Sequence, residues 1–299
     1  MPLSSSDLFD GVIVATVVPF DTDGRLLLDR YAEHVAWLRD NGCRGVAANG
    51  SLGEYASLTA PERRGVLKIA AEHAADDFIV VAGVAAPSGD ESARLSQDAA
   101  DLGVHAVMAL PPTIHRATDD EVVAHYERIA SVGLPICVYN NPIDTKIDIR
   151  PELLGRLATI PNVAAVKEFS GDVRRFHEIA DEAPDLIRMA GADDLLLEAV
   201  VCGATGWLAG FPNAFPAESV RLFDMCRAGR TDDALSLYRA LLPAFRWDSR
   251  TEFVQAIKLG MDMVGRLGGP SRLPRLPLPP DVHARVRADM ERALDALRT

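Results

Sequence analysis

The sequence predicts an α/β fold, a (β/α)8 TIM barrel with an all-helical C-terminal extension. Three observations predict it. Short apolar runs without alternation recur eight times, as in strands buried on both faces. Segments of helical period separate them, so successive strands are parallel and joined by crossover helices. The alternation fills about 220 residues, which suits a closed barrel better than an open sheet.

The apolar runs, rich in Val, Ile and Ala, are Gly11–Val18, Gly45–Ala48, Phe78–Ala82 and Ala106–Leu110, then Pro135–Tyr139, Val163–Val166, Leu186–Met189 and Thr205–Ala209. Between the first two, Leu28–Asp40 sets Tyr31, Val35 and Leu38 on one helical stripe. Thr59-Ala60-Pro61-Glu62 starts the next helix with a cap residue, a proline in the first turn and an acid three positions on; this helix should run to about His73. Further helices fit Asp90–Asp101, Asp119–Ala130, Pro151–Ala158, Asp172–Glu182, Asp193–Cys202 and Glu218–Ala228. After residue 228 the strands stop. Thr231–Leu242, Glu252–Leu267 and Asp281–Leu297 read as helices, with Pro270–Pro280 an extended connector. The expected division is a barrel domain over 1–228 and a helical extension over 229–299.

Composition narrows the function. The 31 Lys+Arg and 43 Asp+Glu leave a net charge of −12, and no basic run exceeds two residues, as at Arg63-Arg64. Nucleic acid and anionic membrane are polyanions, so neither is expected as a partner. No segment has 18 consecutive apolar residues, and Met1–Asp10 lacks the pattern of a signal peptide. A cytoplasmic location is therefore expected. Cys43, Cys137, Cys202 and Cys226 are far apart and read as buried reduced thiols. Asn49-Gly50-Ser51 fits a glycosylation pattern that such a chain should not use. No histidine pair has metal-ligand spacing, and there is no phosphate-binding glycine motif. His34, His73, His125 and His177 fall in helices, as surface or packing residues. No metal or cofactor is expected.

Barrel active sites lie at the C-terminal ends of the strands. Strand two ends in Asn49-Gly50-Ser51-Leu52-Gly53-Glu54, which is either a nest of N–H groups for a carboxylate or an ordinary glycine turn. Asn49 stands where a serine-hydrolase elbow needs glycine. Strand five ends in Tyr139-Asn140-Asn141-Pro142, whose tyrosine is a proton carrier or a core aromatic. Gly191-Ala192-Asp193-Asp194 after strand seven resembles a helix N-cap. Strand six, Val163-Ala164-Ala165-Val166-Lys167-Glu168, is the most informative. Period two puts Val163, Ala165 and Lys167 on one face. If that face is the barrel interior, desolvation lowers the ammonium pKa and frees an amine for attack on a carbonyl; otherwise Lys167 snorkels to water.

Together these segments resemble the dihydrodipicolinate synthase/N-acetylneuraminate lyase family of Schiff-base enzymes. The resemblance runs from Thr16-Val17-Val18-Pro19-Phe20 through Gly50-Ser51-Leu52-Gly53-Glu54, Tyr139-Asn140-Asn141-Pro142 and Val166-Lys167-Glu168 into the helical tail. It implies a cytoplasmic lyase in which Lys167 forms an imine with a 2-oxo acid and Tyr139 moves protons. Ser51 stands where the family has a hydroxyl that hydrogen-bonds the tyrosine. It further implies that Gly50, Leu52, Thr113, Asp144, Gly191, Ala209 and Asn213 line the substrate pocket, and that the chain is a homotetramer built as a dimer of dimers. Two features depart from true dihydrodipicolinate synthases. Asp144 occupies the position of their dicarboxylate-binding arginine, and Leu110–His115 lacks their second tyrosine. The subgroup it resembles most is 1-pyrroline-4-hydroxy-2-carboxylate deaminase, through Gly206–Pro216, Val254–Leu259 and Leu273–Pro277 as well. The implied substrate is then a small 2-oxo acid or cyclic imine. Other readings are a pyruvate aldolase, a 5-dehydro-4-deoxyglucarate-type dehydratase and an inactive oxo-acid sensor.

Overall fold

The structure is a computed structural model that describes residues 3–298. Eight parallel strands close into a barrel in sequence order: β1 (Gly11–Ala15), β2 (Gly45–Ala48), β3 (Ile79–Gly83), β4 (Ala106–Ala109), β5 (Ile136–Asn140), β6 (Val163–Glu168), β7 (Ile187–Ala190) and β8 (Gly206–Ala209). A short helix, α1 (Ser5–Leu8), precedes them. The crossovers are α2 (Leu28–Asp40), α3 (Ala60–Ala71), α4 (Gly89–Asp101), α5 (Asp119–Ala130), α6 (Pro142–Thr145) with α7 (Pro151–Leu157), α8 (Arg175–Glu182) and α9 (Leu196–Val201). α10 (Pro216–Arg227) follows β8, and α11 (Thr231–Phe245), α12 (Phe253–Met263) and α13 (Pro280–Arg298) form the extension. No helix among the described residues is long and apolar enough to cross a membrane.

β1 to β6 divide their side chains between two cores, and the buried side chains of β7 and β8 belong to one of them. Ile13, Ala47, Val81, Ala106, Cys137, Ala165, Met189 and Leu208 belong to the cluster that fills the barrel. Val46, Val80, Val107, Val138 and Val166 face outward and meet Tyr31, Val35, Tyr126 and Leu154 from the helices. Val163 joins that outer cluster and not the face of Lys167. Ile136 pairs with Val163 but Cys137 pairs with Ala165, so Ala164 is an extra residue that breaks the period of two. β1 ends at Ala15, short of Val18, because the Val17 N–H turns to the Asn213 side chain at 3.2 Å and Pro19 has no N–H to give.

The capping box at Thr59 forms as the sequence predicts, with the Thr59 hydroxyl accepting from the Glu62 N–H and the Glu62 carboxylate accepting from Thr59. α11 runs to Phe245, past the expected end, and carries Pro243 inside it. The extension packs on the barrel without a break in the core. Phe245 lies edge-on to Trp207 and Phe211, with centroids 5.7 and 4.9 Å apart, and Val254, Ile257, Val286 and Met290 belong to the same cluster. The division expected at residue 228 is thus one of secondary structure, and the packing crosses it.

One buried ion pair fastens the two parts. Lys258 of α12 donates to Glu54 Oε1 at 2.7 Å and to the Pro270 carbonyl at 2.8 Å. Glu54 Oε2 accepts from the Arg272 N–H at 3.0 Å. Both charged side chains are 2% exposed, and burial pulls the Lys258 pKa down against the pull of Glu54. Replacing one partner strands the other charge, so Lys258→Met should cost about 3–5 kcal/mol in urea unfolding. The double variant with Glu54→Gln should recover part of that loss. Equal stability of Lys258→Met and the parent would show that the pair is not holding the extension.

Candidate active site

Lys167 sits one residue before the end of β6, in register with Tyr139 on β5 and Met189 on β7. Because the register is parallel and unbroken there, neighbouring strands aim these residues to one side, into the barrel mouth. Lys167 is 6% exposed, and its Nζ lies 4.4 Å from the Tyr139 ring centroid and 5.6 Å from that of Phe169. Burial pulls the Lys167 pKa down; the carboxylates of Asp248 and Asp193 oppose that pull. The amine is therefore less protonated at neutral pH than a surface lysine, which nucleophilic attack on a carbonyl requires.

Burial raises the Tyr139 phenol far above the usual range, and Asp248 and Asp144 add to the rise. Asn141 Nδ2 donates to Tyr139 Oη at 3.2 Å and to Asp144 Oδ2 at 2.8 Å, while Asn141 Oδ1 caps the Asp144 N–H. A chain of contacts thus runs from the exposed Asp144 through Asn141 and Tyr139 to Lys167. The hydrogen bond to the phenol comes from Asn141, where the resemblance implies Ser51. In the sequence Asn141 reads as a turn residue before proline, and nothing in its spacing marks it. Ser51 stands half-buried in the loop after β2, whose ends turn at Asn49 (φ 59°) and Glu54 (φ 53°). Gly53 packs there so tightly that a Cβ would lie 2.9 Å from the Thr16 carbonyl.

Gly191, after β7, leaves room beside the amine. A Cβ on it would lie 3.1 Å from Lys167 Cε and 2.5 Å from the Glu168 carbonyl oxygen. Gly50 and the buried Leu52 flank Ser51. Ala209 ends β8 in register with Val14 of the outer core, so its side chain faces the helices and not the barrel mouth, contrary to expectation. Thr113 is half-buried in the loop after β4, outside the bonded group. Asn213 is placed otherwise than expected. It is 0% exposed, and its amide donates to the Ala15 and Gly210 carbonyls while its oxygen accepts from the Val17 N–H and pairs with His34 Nε2. With both hydrogens and both lone pairs engaged, it clamps β1 to the loop after β8 and has nothing left for a substrate. Burial lowers the His34 pKa to about 4.

Asp193 likewise corrects the sequence reading. It does not cap a helix; Oδ1 accepts from Trp207 Nε1 at 2.9 Å and from the Gly210 N–H at 3.3 Å, and Oδ2 accepts from the Phe211 N–H at 2.8 Å. It ties the end of β7 to the loop after β8. Asp248, from the turn after α11, is marked by no motif. It reaches the mouth beside Gly210, where a Cβ on the glycine would lie 2.6 Å from Asp248 Oδ1 and 3.4 Å from Leu52. Burial raises the Asp248 pKa to about 6, and Lys167 opposes the rise. Among the described residues no group of three or more His, Cys, Asp or Glu could hold a metal ion.

A closed eight-stranded barrel with a desolvated lysine and a phenol at its mouth has the architecture of a barrel lyase. The family model described as the dihydrodipicolinate synthetase family matches residues 8–293. The 4-hydroxy-tetrahydrodipicolinate synthase of Cellvibrio japonicus is 30% identical over 292 residues, covering 96% of this chain and 99% of its own. That of Neisseria gonorrhoeae is 31% identical over 290 residues, covering 95% and 98%. Among solved structures, the 4-hydroxy-tetrahydrodipicolinate synthase of Methylacidiphilum fumariolicum SolV superposes with a TM-score of 0.92 at 26% identity, over 97% of each chain. The dihydrodipicolinate synthase of Aquifex aeolicus gives 0.90 at 25% identity, over 95% and 97%. The chain belongs to the dihydrodipicolinate synthetase family and is a lyase of that family.

The fit at Gly191 yields a prediction. Gly191→Ala should displace the Lys167 stem or the Glu168 backbone, cost about 1–3 kcal/mol of stability, and lower kcat more than it raises KM. Unchanged turnover with unchanged thermal unfolding would show that the space beside Lys167 is not used.

Proposed function

We propose that this chain is a Schiff-base lyase for a small 2-oxo-acid-type substrate, with Lys167 as nucleophile and Tyr139 as proton carrier. The carrying observation is the pairing of Lys167 with Tyr139, 4.4 Å from Nζ to ring centroid, in a site that lowers the amine's pKa. As pH rises, the neutral amine grows at the expense of the ammonium. The acid limb of kcat/KM should therefore rise with pH through an ionisation below the usual lysine range.

The substrate we favour is 1-pyrroline-4-hydroxy-2-carboxylate, converted to 2-oxoglutarate semialdehyde and ammonia. The Lys167 amine adds to the ring C=N carbon, and the ring C–N bond breaks to give an iminium on Lys167 and a free primary amine. Tyr139 gives its phenol proton to the departing ring nitrogen and then, as the phenolate, takes one from the adjacent carbon as the iminium accepts the electron pair. The 4-hydroxyl then leaves as water. Tautomerisation makes a terminal imine, whose hydrolysis releases ammonia, and a second hydrolysis frees Lys167. One water is eliminated and two are added, so the net reaction consumes one. Ser51 and its loop would hold the carboxylate. Asp144 supports this reading, because a carboxylate bonded to the Asn141 that serves Tyr139 repels a dicarboxylate and suits a hydroxyl or an amine.

A second reading, a 4-hydroxy-tetrahydrodipicolinate synthase-like aldolase that adds or releases pyruvate, draws on the names of the relatives. Turnover separates the two: the panel is 1-pyrroline-4-hydroxy-2-carboxylate, pyruvate with aspartate semialdehyde, and a deoxy-keto sugar acid. We expect ammonia release from the first alone. Condensation of pyruvate at comparable kcat/KM would favour the aldolase. Lys167→Ala should abolish turnover, and Tyr139→Phe should lower kcat by about 10²–10⁴-fold. Native-rate turnover by Lys167→Ala would end the Schiff-base account.

A further inference from the structure

We infer that Asn141 is a positioning residue for Tyr139: its side-chain amide, locked by Asp144, holds the phenol oxygen as an acceptor and so keeps the phenol's own hydrogen for the substrate. The inference rests on the Schiff-base reading for turnover but not for the resting phenol. Its basis is geometric. Asn141 Oδ1 accepts from the Asp144 N–H at 3.2 Å, and Nδ2 donates to Asp144 Oδ2 at 2.8 Å. Turning the amide over would set its oxygen against that carboxylate and its NH2 against that N–H, so one orientation is fixed. The backbone is held as well, because the Asn141 carbonyl accepts from the Thr145 N–H at 3.0 Å and from the Thr145 hydroxyl at 2.8 Å. The other hydrogen on Nδ2 goes to Tyr139 Oη at 3.2 Å. An amide nitrogen only donates, so the phenol oxygen accepts.

The other buried phenols spend their hydrogens on the protein. Tyr126 donates to the Ala109 carbonyl at 2.8 Å, and Tyr238 donates to the Asp194 carbonyl. Tyr31 pairs with the Thr16 hydroxyl at 2.9 Å, and that hydroxyl has the Ala47 carbonyl to donate to. Among the described residues, Tyr139 Oη has no hydrogen-bond partner but Asn141. Yet Tyr139 is buried, with the Lys167 amine 4.4 Å from its ring centroid. A buried hydroxyl with an unspent hydrogen is costly until something in the site accepts it, and here the acceptor is the substrate. Once that proton has gone, the same amide N–H faces a phenolate, to which its bond is roughly twice as strong. Burial raises the phenol pKa, and the Asn141 bond opposes that rise. Asn141 thus serves both halves of the proton transfer: it aims the phenol hydrogen first and steadies the phenolate next.

The test separates imine formation from proton transfer. With pyruvate, the phenol proton leaves with the carbinolamine hydroxyl as water, and the phenolate then takes a methyl proton, so the methyl hydrogens exchange with deuterated water. The parent and Asn141→Leu, close to it in shape, are compared for imine at equilibrium by borohydride trapping and for methyl exchange by NMR. Trapping should stay at the parent level, while exchange slows by about 10²–10³-fold, the loss that follows removal of one donor to a developing oxyanion. Asn141→Ala gives the same reading should the leucine not pack; thermal unfolding checks both. Exchange at the parent rate in a folded variant overturns the inference, and so does a parallel fall of trapping and exchange, which marks a merely structural role. The resting phenol is read without ligand, in protein labelled at tyrosine Cζ, with Tyr139 assigned through Tyr139→Phe. Its resonance should be displaced in Asn141→Leu while those of Tyr31, Tyr126 and Tyr238 stay; an undisplaced Tyr139 resonance also overturns the inference. A parent that traps no imine would sink the Schiff-base reading alone, and the resonance would still decide the role of Asn141.

Discussion

Desolvation of one amine organises the mouth of this barrel. Lys167 lies on a strand whose neighbours are apolar, and it is 6% exposed. An ammonium taken out of water with no compensation costs several kcal/mol, so the site has to supply counter-charge or the proton leaves. Both happen in part. Burial pulls the pKa down, while Asp248 and Asp193 hold it up. The aromatic faces of Tyr139 and Phe169 supply a weaker cation–π attraction. The result is an amine that can lose its proton without losing its place.

Holding that place requires rigid strand ends, and three polar clamps provide them. Asn213 joins β1 to the loop after β8, Asp193 joins β7 to that same loop, and the Glu54–Lys258 pair joins the β2 loop to the extension. Each satisfies backbone N–H or C=O groups, or a charge, that burial would otherwise leave unpaired. The extension is accordingly part of the site's machinery. It braces the Ser51 loop through Glu54 and carries Asp248 to the mouth.

Much of this is legible in the chain. Eight apolar runs separated by helical segments point to the barrel, because a parallel strand covered on both faces has few sequence disguises. Lys167 stands out because a charge directly after four small apolar residues needs an explanation. The misses have a common cause. Ala164 inserts a bulge that no local pattern announces, so Val163 turns to the outer core. Asn141, Asp193, Asn213 and Asp248 owe their roles to partners 2 to 198 positions away, as Asn213 does to Ala15. Polar side chains at strand ends look alike in sequence whether they meet a substrate, cap a helix or clamp a backbone.

The central claim is that Lys167 forms the imine, and reductive trapping tests it most directly. The folded protein would be incubated with pyruvate and, separately, with 1-pyrroline-4-hydroxy-2-carboxylate, reduced with borohydride, and read by intact mass and peptide mapping. The account predicts one stable adduct per chain, on the peptide that carries Lys167. An adduct on another lysine, or none with either compound, would contradict it.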